Sequence, residues 1–163
     1  MKKKVIVVTL KRLRNMQLFW GLFIGIGACL GAFGMIRDPS GVTLGLVDWL
    51  QFFQKLPFAD IFFQNFLFPG ILLLTVNGLS NTISVILIFR KNKYSALSGM
   101  VCGIILMLWI CIQFYIFPFN FMSTLYFMFG ILQTINGWMY FNKRRCKIEI
   151  SDTAPSRQPL ASM

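Results

Sequence analysis

The chain of 163 residues contains no histidine and only five acidic residues, Asp38, Asp48, Asp60, Glu149 and Asp152. None of the five falls within a long apolar stretch, so a proton relay or a charged-substrate site inside a membrane has no candidate residue. The four cysteines, Cys29, Cys102, Cys111 and Cys146, include no Cys-x-x-Cys pair, and a thiol–disulfide oxidoreductase therefore lacks its motif. No metal or nucleotide motif stands out, and no cofactor or metal is expected. Serine and threonine have no base to activate them, so an enzyme is the least favoured class.

What the chain has in excess is apolar length. Hydrophobic residues make up 56% of it, 18 residues are phenylalanine, and the mean hydropathy is +0.68. This composition lies outside the soluble range and indicates an integral membrane protein of one domain. Four stretches, at about 16–36, 66–89, 96–117 and 121–141, have the length that a hydrocarbon core of roughly 30 Å requires. The expected fold is all-α, a four-helix membrane bundle over 16–142, between a basic N-terminus (1–15) and a basic, disordered tail (143–163). In the tail, Cys146 follows Lys143, Arg144 and Arg145, a setting that suits S-acylation in a eukaryotic host.

The basic residues set the orientation. Of 16 Lys and Arg, 14 lie before the first stretch, in the Arg90–Lys93 connector or in the tail; only Arg37 and Lys55 lie on the other side. By the positive-inside rule both termini face the cytoplasm of a plasma membrane. The net charge of +11 then reflects topology, and no nucleic-acid partner is expected. The N-terminal cluster suits either an interfacial segment on anionic lipid or a disordered retention signal.

Between the first two stretches, Leu46, Trp49, Leu50, Phe53 and Leu56 recur at helical spacing, with Asp48, Gln51, Gln54 and Lys55 between them. The pattern predicts an extracytoplasmic amphipathic helix over 46–56, ended by Pro57 and anchored in the interface by Trp49. Its alternative use is to cap a ligand pocket between the spans.

Small and polar residues inside the stretches identify contact faces. Gly21, Gly25, Gly27 and Gly31 in the first, Gly99 and Gly103 in the third, and Gly130 and Gly137 in the fourth permit close helix packing, within the chain or in a homo-oligomer. Ile26, Gly27, Ala28 and Cys29 also match a bacterial lipoprotein cleavage motif, but a lipidated cysteine is usually followed by a polar tether and this sequence stays apolar to Ile36. Asn77, Asn81, Ser84, Gln113, Gln133 and Asn136 form a candidate polar seam. Counting from the cytoplasmic ends, Asn81 is nine residues before Arg90 and Gln133 ten before Lys143. A rise of 1.5 Å per residue puts that pair at one depth, and likewise Ser84 with Asn136.

Trp109, Ile110 and Gln113, followed by Leu125, Tyr126, Phe127 and Gly130, resemble a widespread type of small four-span bacterial membrane protein. The plan, with its outer amphipathic segment, also resembles the DoxX-like proteins in topology. The resemblance covers about the last two-thirds of the chain and implies a fold and a location more than an activity. Two expectations lead: an accessory protein that packs against lipid and a partner membrane protein, and a binder of a neutral or lipidic molecule at the seam.

Overall fold

Runs of Leu, Ile, Phe, Met and Ala with few breakers favour helix wherever backbone groups have no water to bond, and the protein folds accordingly. The computed structural model describes residues 2–56 and 58–152, and no strand occurs among them. Helix α1 runs Lys2–Arg37. After two short helical pieces, α2 (Leu50–Phe53) and α3 (Ala59–Phe62), the chain turns into α4 (Leu67–Leu73). A π-helical stretch, Leu74–Leu79, joins α4 directly to α5 (Ser80–Phe89). Helices α6 (Ser95–Ile116) and α7 (Phe121–Asp152) complete the order. Three segments are long and apolar enough to cross a membrane, Val7–Arg37, Leu67–Phe89 and Ser95–Ile116, which makes this a multi-pass membrane protein.

Two terminal segments differ from expectation. Residues 2–15 are helical and continuous with the first span, forming the first turns of α1, a helix of 36 residues that measures about 54 Å. Likewise 143–152 continues α7 as helix rather than a disordered tail. In both cases the polar segment adjoins an established helix, and extending a helix is far less costly than nucleating one. The rest of the tail, with Pro155 and Pro159, lies outside the described residues.

Glycine contacts set the closeness of the packing. A Cβ on Gly137 would lie 2.5 Å from the Met100 backbone nitrogen, and one on Gly103 would run into Thr134 and the Gly130 carbonyl. Helices α6 and α7 thus meet backbone to backbone. Gly21 and Gly25 make room for the side chains of Val85 and Asn81 of α5 against α1. These glycines all serve contacts within the chain. Where the termini emerge, Leu13, Ala96 and Tyr140 form a small core. Arg144 clamps the α5–α6 connector there by donating to the Asn92 carbonyl (2.9 Å) and Ser95 Oγ (2.8 Å).

Gly137→Ala is expected to lower stability by about 1–3 kcal/mol through overpacking. Gly27→Ala, whose Cβ would meet only Tyr126 Oη at 3.4 Å, should be tolerated. Thermal unfolding in mild detergent measures both, and equal stability of the two variants would contradict the α6–α7 contact.

Candidate functional site

The polar residues of the second stretch first satisfy their own helix. A π-helical turn is wider than an α-turn and disturbs the regular i→i−4 ladder. Around it, Thr75 Oγ1 donates to the Ile71 carbonyl (2.9 Å), Ser80 Oγ to Val76 (2.5 Å), Asn81 Nδ2 to Asn77 (2.9 Å) and Thr82 Oγ1 to Gly78 (2.8 Å). In a medium without water these side chains supply the partners that solvent cannot.

The amides beyond this turn join helices. Gln133 Nε2 donates to Asn81 Oδ1 at 2.8 Å, with both residues fully buried, so the depth-matched pair is in direct contact. The second expected pair does not form. Ser84 Oγ instead lies 3.0 Å from Ser98 Oγ of α6, and Asn136 Nδ2 donates to Gln17 Oε1 (2.7 Å) and the Leu13 carbonyl (3.2 Å) of α1. Equal depth was a sound criterion, but the helical faces turn Ser84 to α6 and Asn136 to α1. Gln17 escaped the sequence reading, although its lone amide at the entry of an apolar stretch was a usable signal. It packs onto Gly99, where any side chain would collide with it.

Toward the opposite end from the termini the helices separate around a cavity of about 540 Å³. That volume falls within the range of small-molecule sites, about 300–1,000 Å³. Gly27, Ala28 and Gly31 of α1 form one wall, Leu72, Leu73 and Asn77 a second, and Trp109, Ile110 and Gln113 a third. Small residues on α1 leave the room that larger ones would fill. Gln113 is separate from the amide cluster; its Oε1 accepts from Ser123 Oγ at 3.3 Å near the mouth.

The segment predicted as one amphipathic helix over 46–56 is instead a 3₁₀ turn, Val47–Trp49, followed by the single turn of α2. Pro57, its expected terminator, lies outside the described residues. Trp49, half-buried, lines the cavity and meets Phe117 edge-on, with ring centres 5.1 Å apart. Phe53 packs on Phe117 (4.9 Å), Phe63 (5.3 Å) and Phe66 (5.8 Å), which forms an aromatic roof. The apolar face of this segment thus packs on the bundle.

The roof is tied down at its start. Gly41 adopts φ +77°, and a Cβ there would lie 2.7 Å from the Phe66 ring, so only glycine lets Phe66 close over the turn. Phe66 N donates to the Pro39 carbonyl at 2.9 Å. Asp38 accepts from Ser40 Oγ (2.5 Å), Thr43 Oγ1 (2.6 Å) and Thr43 N (2.8 Å), and these bonds hold its carboxyl well below the usual carboxylate range, the Ser40 hydroxyl contributing most. A depressed pKa favours the folded turn above the ordinary carboxylate pKa, and that support is lost only as the pH falls through the lower folded value.

Among the described residues, no cluster of His, Cys, Asp or Glu is arranged to hold a metal ion. Asn77 is 1% exposed and lines the cavity, yet neither Nδ2 nor Oδ1 has a hydrogen-bond partner among the described residues. The Trp109 indole nitrogen, on another wall, is also buried without one. Comparison with family models, curated proteins and solved structures gives no match, and nothing there bears on a DoxX-like relationship.

Asn81→Leu and Gln133→Leu are expected to be non-additive, with a coupling of roughly 0.6–1.7 kcal/mol. A double-mutant cycle in bilayers or mild detergent measures this, and strict additivity would contradict the bond.

Proposed function

We propose that this protein is a four-span plasma-membrane protein, with both termini cytoplasmic, that binds a neutral, largely apolar small molecule drawn from the bilayer and performs no chemistry on it. The observation that carries this reading is the cavity itself, which is walled by hydrocarbon side chains, roofed by aromatics and lined by no charged residue among those described.

The fourth span rests on the outer face of α7. Met128, Leu132, Ile135 and Trp138 are exposed there, while Gln133 and Asn136 point inward. The inward amides lower the average hydropathy of α7 without making its lipid-facing surface polar. Orientation rests on the distribution of basic residues.

The accessory-protein reading is the second one; Gly21, Gly99, Gly103, Gly130 and Gly137 serve contacts within the chain, while Gly27 and Gly31 line the cavity. The amide network is also helix-joining in character, since Asn81, Gln133 and Asn136 bond to protein. Binding is therefore assigned to the cavity and cohesion to the bonded amides Asn81, Gln133 and Asn136.

Gly31→Leu tests the proposal. A Cβ at Gly31 would meet Leu73 Cδ2 at an ordinary 3.4 Å, so the variant should fold while its side chain fills the space. In native mass spectrometry from mild detergent, the parent should retain a one-to-one lipidic adduct, with retention reduced at least about tenfold in the variant. An adduct-free parent, or equal retention by both proteins, would contradict the assignment.

A further inference from the structure

Of the buried amides, Asn77 is set apart by having neither side-chain polar atom engaged. Asn81 and Asn136 each donate, Gln133 donates and Gln17 accepts, all through bonds to protein. The Asn77 carboxamide, 1% exposed, carries a donor and an acceptor side by side with no partner among the described residues, and the residue lines a largely apolar cavity. It also sits within the π-helical stretch, an irregularity that recurs at functional sites. Unpaired polar groups are costly where water is absent, and an apolar side chain of similar size would avoid that cost.

We propose that Asn77 recognises a neutral group that presents a donor and an acceptor side by side, the protonated carboxylic acid or primary carboxamide of a single-chain amphiphile. The inference rests on the cavity being a binding site. A carboxamide and a protonated carboxyl can each exchange two parallel hydrogen bonds with Asn77, satisfying Nδ2 and Oδ1 together. An ester carbonyl can only accept and leaves Oδ1 unpaired. A single hydroxyl cannot align well with both atoms at once. Charged heads are disfavoured, because no Lys, Arg, His, Asp or Glu among the described residues lines the cavity to offset their desolvation. Asn77 lies ten residues into the segment that starts at Leu67, about 15 Å from that end. The head group is thus held deep in the bilayer. The chain extends between Leu73 and Ile110 toward Phe53 and Phe117 at the roof.

The test uses the full chain in phosphatidylcholine nanodiscs, with competition against a photoreactive lauramide by lauramide, lauric acid, lauryl alcohol and methyl laurate. Lauramide should compete independently of pH and roughly 10- to 100-fold better than methyl laurate. Lauryl alcohol should fall between them. Lauric acid should match lauramide only while protonated, weakening about tenfold for each pH unit above its own ionisation. Asn77→Leu should remove the preference for amide over ester while retaining ester binding. It replaces an unpartnered polar group by an apolar one of similar size, so folding should survive. Leu132→Ala, on the outward face of α7, should leave the preference intact. Equal binding of amide and ester to the parent, or a preference that persists in Asn77→Leu, would overturn this inference and leave the cavity reading standing. Failure of every probe to bind, in parent and Gly31→Leu alike, would overturn both.

Discussion

The Asn81–Gln133 hydrogen bond is the contact on which the arrangement of the helices turns. In a bilayer two apolar helices gain little by preferring each other to lipid, so packing and polar pairing decide which faces meet. Gln133 fixes the rotation of α7 against α5, and Asn136, one turn further on, then reaches Gln17 of α1. Three helices are thereby joined through two adjacent positions on α7. Glycine on α6 and α7 provides the matching steric condition, since the Met100 backbone leaves no room for a side chain at Gly137. The fixed rotation also gives α7 its two faces, amides inward and Met128, Leu132 and Ile135 outward.

Tight packing in one half permits looseness in the other. Toward the termini, glycine contacts and the amide network bring the helices together. Beyond Asn77 the walls are Gly27, Ala28 and Gly31 on one side and larger residues on the other, and the helices no longer fill the space between them. The Trp49–Phe53 turn closes that space from above by packing on Phe117 and Phe66. The π-helical stretch lies at the boundary between the two halves and places Asn77 on the cavity wall.

Much of this was legible in the sequence, for reasons that particular residues make clear. The three most apolar crossings follow from length and hydropathy, and the Asn81–Gln133 pair follows from counting depth. Asn136 was misassigned because depth fixes level but not rotation, and the rotation depends on Gly99 admitting Gln17. The amphipathic pattern over 46–56 identified an apolar face and left two targets open, the interface or a pocket between the spans, because a helical period is the same whether that face meets lipid or Phe117. Nothing local distinguishes Asn77 from Asn81, four residues on. One amide is bonded to α7 and the other is left at a cavity, and that difference arises only from the assembled helices.

The central claim is that the cavity, and Asn77 within it, receives an acyl chain with its polar head group. Magic-angle-spinning NMR on the protein in bilayers, with ¹³C-labelled lauramide and ¹⁵N-labelled side-chain amides, measures this contact directly. Through-space transfer is expected from the ligand carbonyl to Asn77 Nδ2 and not to Gln133 Nε2, which donates to Asn81 and does not line the cavity. Transfer only to outward-facing residues such as Leu30 and Leu108, with none to Asn77, would place the molecule on the lipid-facing surface and contradict the account.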